Sequence, residues 1–232
     1  MWNFAWNKPR PALRSMRLVL ALLATALAVG ACRSTERTPL EVTGREERFN
    51  LRLQNLAGWE LLTRHVPQSE LLVLELVLEG GVHTEDTARV GLQALALHTA
   101  FEGGTQQLNR AAFARRQEAL GMRTVLFSGL DFASVRMICP RETWQASLDL
   151  LLEALLYPSF RQEDFWKVRD ELAAKVQQQE QAPTARSLGL ARQAAFAGHP
   201  YQLPPEGSYA KLVAYPVEEA SAYYGELLRP SR

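Results

Sequence analysis

Cysteine is almost missing from this sequence: among 232 residues there are two, Cys32 and Cys139. Cys32 closes an apolar leader, which leaves Cys139 without a partner and excludes a disulfide framework. Charge of one sign is missing as well. The 26 Lys and Arg stand against 25 Asp and Glu, a net charge of +1, and this removes the electrostatic basis for nucleic acid as a partner. The apolar run of the leader, Leu18 to Val29, is too short to cross a bilayer comfortably. Histidine numbers 4, and His65, His83 and His199 share no helical face with His98.

What is present begins with an address. From Met16 the chain reads MRLVLALLATALAVGAC, with Arg14 and Arg17 as a basic flank and small residues before Cys32. That is the pattern of a secretory signal. Val29-Gly30-Ala31-Cys32 resembles a bacterial lipobox, in which the peptide is cut before the cysteine and Cys32 carries the lipids. Arg33 follows where an inner-membrane retention signal shows aspartate, so the resemblance implies a lipid-anchored envelope protein, on the outer membrane and facing the periplasm. Residues 1–32 are read as the signal peptide with either Met1 or Met16 as the start, 33–48 as a polar tether, and 49–232 as one folded domain. Cys139, on the parity of Ala133, Val135 and Met137, reads as a buried, inert thiol.

Hydrophobic periodicity supplies the elements. A strand over Leu51 to Leu53 turns near Asn55 to Gly58 into Trp59 to His65. Leu71 to Leu78 is almost continuously apolar, which predicts a central strand covered on both faces. Val90 to Glu102 is apolar nearly all round, as in a buried helix. Asn109 to Leu120 is a second helix, ended by Gly121. Thr124 to Ser128 and Asp131 to Cys139 form a hairpin around Gly129. Three further helices are marked by Trp144, Leu148, Leu151 and Leu155, then Phe165, Val168, Leu172 and Val176, then Leu188, Ala191 and Ala195, with Pro158 and Pro183 between them. A loop from His199 to Ser208 precedes a last helix, opened by Pro216 and running to Leu228. The order predicts an α+β fold, a mainly antiparallel sheet with helices packed on one face.

Gly91 to Thr105, GLQALALHTAFEGGT, carries the most specific signal. It resembles the metal helix of the insulinase and mitochondrial processing peptidase family of inverted zincins, G-(L/I)-A-H-F-L-E-H-M-x-F-K-G-T. Gly91 and Leu92 match, His98 falls on the second metal histidine, and Phe101, the glycine pair and Thr105 match the exit. Ala94 stands at the first histidine and Leu97 at the catalytic glutamate. In a helix those positions share a face, so that both imidazoles reach one zinc while the glutamate holds its water. Alanine and leucine offer neither a lone pair nor a base.

Further segments resemble the family in the same order: Glu118 to Gly121, Tyr157-Pro-Ser-Phe160, His199-Pro-Tyr201 with Gly207, and Tyr223-Tyr224 with Arg229-Pro230. In the family the third zinc ligand is a glutamate seven residues after a supporting one, on the helix that follows the Pro-x-Phe motif. Here those positions hold Val168 and Lys175. An ammonium about 4 Å from a divalent ion meets roughly 8 kcal/mol of repulsion at an effective dielectric near 20. Glu171 and Glu180 read as solvated charges, and His98 as a structural remnant, with a new site built from His98 and Glu102 as the alternative.

The resemblance therefore implies a processing-peptidase-like domain without its zinc and with no catalytic residue. Its implied role is to pair with an active peptidase subunit and help form the chamber for a peptide substrate. The sequence stops where the family continues into another strand, which implies a truncated sheet. A decayed gene product and a metalloendopeptidase with rearranged ligands are the alternative readings.

Overall fold

The computed structural model describes residues 51–56 and 59–228. The leader, Cys32, the tether and the segment after Leu228 lie outside the described residues, and with them the expectations of lipidation and of a truncated sheet. The chain divides into two compact units, one ending at Glu70 and one beginning at Leu71. Each is described by itself.

In the first unit, β1 (Leu51–Leu56) and β2 (Trp59–Arg64) form the antiparallel hairpin that the sequence predicts, with Leu53 opposite Leu62. The second unit holds an antiparallel sheet of β3 (Leu71–Glu79), β4 (Arg123–Ser128) and β5 (Phe132–Pro140), in the order β3-β5-β4. Alternation decides which face is covered. Ala133, Val135, Met137 and Cys139 of β5 are fully buried. On the other face Val73, Val77, Phe127 and Phe132 are exposed, around an ion pair in which Arg136 Nη2 donates to Glu75 Oε2 at 2.9 Å.

This corrects the reading of Leu71 to Leu78 as a central strand. The central strand is β5, and β3 lies at one edge of the sheet with alternate residues bare. The outward face of β3 carries Leu71, Val73 and Val77 alongside Glu75 and Glu79, so that too few polar residues mark it. A period of two is hidden in a run that is apolar on both parities.

The helices are α1 (Leu92–Glu102), α2 (Arg110–Ala119), α3 (Trp144–Leu156), α4 (Gln162–Gln181), α5 (Pro183–Ala195), the single turn α6 (Tyr209–Leu212) and α7 (Val217–Leu227). Asn109 caps α2, its Oδ1 accepting from the Ala112 N–H at 2.9 Å. Pro183 and Pro216 open α5 and α7, where a missing N–H costs nothing. Helix α1 packs on α4, α7 and β4, and α3 packs on β5. Phe101, Phe113, Phe165 and Leu95 fill the core between them. The outcome is the α+β architecture with helices on one face of the sheet. Helix α5 departs from the sequence reading: no residue of it is buried, and Leu188 is 67% exposed despite its amphipathic spacing.

Candidate functional site

The site is built on α1, and the start of that helix is fixed from outside it. Gly91 takes a left-handed conformation (φ 82°) with its Cα against Gly207, so that a Cβ there would sit 2.5 Å from the Gly207 Cα. The first turn contains no acidic residue. Instead Glu85 reaches in from the preceding loop, its two carboxyl oxygens accepting from Gly91 N at 3.0 Å and Gln93 N at 2.9 Å. These N–H groups have no partner within the helix. Burial pushes the Glu85 carboxyl up to about 7, against the opposite pull of its bonds from Gln93 and Gly91. Tyr215 completes the support, donating to the carbonyls of Ala88 at 2.8 Å and Val90 at 3.0 Å.

The His-Pro-Tyr loop has a matching role. His199 Nδ1 accepts from Tyr201 N at 3.2 Å, and the Tyr201 hydroxyl donates to Asp131 in the β4–β5 turn. The Gly207 N–H closes on the Pro204 carbonyl at 2.9 Å. The loop thus presents Gly207 to Gly91 and Glu206 to α4.

Along α1 the positions that resemble the metal motif lie together. Ala94 is 1% exposed and Leu97 is fully buried. The His98 ring is 17% exposed and its Nδ1 lies 3.1 Å from Glu102 Oε1, one turn on. Helix α4 brings the rest. Val168 is buried, and Lys175 Nζ donates to Glu206 Oε1 at 3.1 Å. One turn before Lys175, Glu171 pairs with Arg110 at the start of α2. Burial alone would raise the Glu102 carboxyl, but the His98 hydrogen bond and the positive charges of His98, Arg110 and Lys175 hold it below the usual carboxylate range.

The donors present do not fit a zinc ion. A catalytic zinc takes three protein ligands, whereas Ala94 and Leu97 offer hydrocarbon and Lys175 offers a cation. Among the described residues no three His, Cys, Asp or Glu come together to hold a metal. Neither Cys139, buried with its thiol pushed up by desolvation, nor His83, whose Nδ1 lies 3.2 Å from the Leu130 carbonyl oxygen, adds a donor. A cavity of about 510 Å³ lies between α4 and α6, against Ala173, Ala174, Gln177 and Tyr209. It includes none of the motif positions.

The sequence reading brings out Ala94, Leu97, His98 and Lys175 and misses their neighbours. Glu171, read as a solvated charge, has a partner in Arg110. Glu85, Arg110 and Glu206 carry no local signal. Each acts across a loop rather than at helical spacing, and a capping acid is ordinarily sought at the helix start, not six positions before it.

Comparison with known proteins identifies the family and the fold. Residues 60–207 match the sequence profile of the insulinase family, peptidase family M16. The chain belongs to that family. Its fold is similar to an inactive M16 peptidase domain from Pseudomonas fluorescens, at 18% identity and a TM-score of 0.66 over 75% of this chain and 43% of that one. It is also similar to a protease from Helicobacter pylori, at 14% identity and a TM-score of 0.69 over 78% and 44% of the two chains. The periplasmic protease PqqL from Escherichia coli matches at 16% identity and a TM-score of 0.69, over 78% of this chain and 21% of PqqL. Identities this low show the fold alone. This insulinase-family chain spans less than half the length of each of those structures. No curated protein matches it. Among its described residues no helix is long and apolar enough to cross a membrane.

Proposed function

We propose that this insulinase-family chain is a non-catalytic lipoprotein of the bacterial envelope, which pairs with an active peptidase subunit of its own family and helps enclose the peptide substrate. The observation that carries the reading is the Lys175 ammonium, paired with Glu206 where a metal-binding carboxylate is expected. Leu97, fully buried at the position of the general base, supports it from the other helix. Hydrocarbon at that place can neither hold a water nor take its proton, so hydrolysis by this chain has no base to begin it. The size and fold of the relatives support pairing, because each holds more than twice the length that this chain matches. The lipobox-like Val29 to Cys32 supports anchoring.

The test is reconstitution. The purified chain is expected to cleave no peptide by itself and to contain no stoichiometric zinc. Mixed with an intact family subunit encoded beside it, it is expected to co-purify and to raise that subunit's chelator-sensitive cleavage. Cleavage by the chain alone, abolished by chelator, would establish rearranged ligands instead, and failure to bind any such subunit would favour a decayed product. For the anchor, Cys32→Ser is expected to abolish lipid labelling and release the protein from the membrane fraction.

A further inference from the structure

Helices cover one face of the β3-β5-β4 sheet, and the other face has no cover among the described residues. On the covered side Ala133, Val135 and Met137 are fully buried. On the bare side Val73, Val77, Phe127 and Phe132 are between 42% and 58% exposed. A contiguous apolar patch of this kind marks an interaction surface. Its charges are balanced. Glu75 and Glu79 on β3 stand against Arg136 on β5 and Arg123 on β4, all four exposed and on the outward parity. The centre is an ordered cluster, in which Arg136 donates to Glu75 Oε2 from Nε at 3.2 Å and from Nη2 at 2.9 Å, and the Ser134 hydroxyl donates to Glu75 Oε1 at 2.7 Å.

We propose that this face binds a second copy of the chain, sheet on sheet about a twofold axis. The charges choose the occupant. A lipid surface, or a partner of strong charge, calls for one sign on the face, whereas two acids and two bases are complementary to themselves. A twofold axis running along the strands between β3 and β5 carries each copy's Glu75 over the partner's Arg136, because the two residues are cross-strand partners in the register. The same operation lays Val73 on the partner's Ile138, also its cross-strand neighbour, in the aligned packing that two sheets adopt. Four alternating charges at the centre then set the register more than the affinity.

The size of the face decides how tight the contact is. Strands β3 and β5 are 9 residues long, so three strands present a face of roughly 30 Å by 14 Å. Two such faces bury on the order of 1,000 Å², the low end for a specific contact, which makes the dimer a reversible one. The helices that carry the altered metal motif pack on the opposite side of the sheet. The inference therefore rests neither on the metal-free site nor on the pairing proposed above.

The full chain, purified in a non-ionic detergent, is followed by analytical ultracentrifugation between about 1 and 100 µM. A monomer–dimer equilibrium is expected. Arg136→Glu and Glu75→Arg each gather one sign at the centre, and each alone is expected to raise the dissociation constant about tenfold or more. Mixed in equal amounts, the two are expected to form a heterodimer, since the acids of one meet the bases of the other. Association through the leader would be the same in every variant. Circular dichroism checks that the variants fold. If the charge variants do not, Val77→Lys, at an exposed position, is expected to weaken the dimer likewise. The proposal is overturned if the parent stays monomeric over that range or grows beyond a dimer, if the dimer is insensitive to the folded variants, or if folded charge variants stay apart on mixing. Binding of an intact family subunit to this face without self-association would name a different occupant and equally overturn it.

Discussion

The two ends of one structural idea meet in α1. At its start every device that seats the helix is in place: the Glu85 carboxyl on two backbone N–H groups, the close approach of Gly91 to Gly207, the Tyr215 hydroxyl on two carbonyls. One turn further on, the face that carries chemistry in the family is hydrocarbon, and across from it stands a lysine. Scaffold and catalyst are therefore separable along a single helix. The scaffold is held by contacts that fold the protein, so losing them costs the whole domain, whereas losing ligands costs only the reaction.

That contrast can be broken most forcefully by putting chemistry back. Leu97→Glu alone places an unpaired carboxylate in the core, and it is expected to destabilise the domain by about 3–5 kcal/mol. Chemical denaturation measures this, and a Leu97→Glu protein as stable as its parent would mean that the α1 face is open to water.

Next in size is the start of the helix. Glu85→Ala orphans two buried N–H groups and is expected to cost about 2–3 kcal/mol. Its pH signature is specific. The folded Glu85 carboxyl titrates at about 7 against 4.5 for the ordinary group, so between those values the folded protein holds a proton that the unfolded chain has released. Stability is therefore expected to fall as pH rises through that window, by roughly 3 kcal/mol in all. Glu85→Gln is expected to flatten the slope, which unfolding midpoints from pH 4.5 to 8 would reveal.

The smallest effect sharpens the comparison from the other side. His98 meets Glu102 in a partly exposed i,i+4 pair, and His98→Gln is expected to change stability by under about 0.5 kcal/mol. A larger loss would show that the remaining imidazole still has a structural duty of its own.

Much of this was legible in the sequence, and for identifiable reasons. The frame of α1 could be read because Gly91, Phe101 and the glycine pair sit at fixed local spacings, and the hairpin around Gly129 because alternation and turn chemistry agree there. Strand β3 misled because its outward face has too few polar residues to mark it, and α5 because amphipathic spacing promises a partner surface that this helix does not use. Within the site, the substitutions were visible position by position. Their partners were not. Glu206 reaches Lys175 from 31 positions away and Glu171 reaches Arg110 from 61, and no periodicity encodes such distances.

Tyr215 has one more implication, for the order in which the protein is made. Its hydroxyl grips the Val90 carbonyl across 125 positions, and Gly207 meets Gly91 on a similar span. A ribosome delivers the start of α1 long before either partner emerges, and contacts this far apart in sequence are slow to form because the intervening loop must first be closed. The nascent α1, apolar on nearly every side, must therefore wait in a loosely held state until the C-terminal third of the chain has been synthesised.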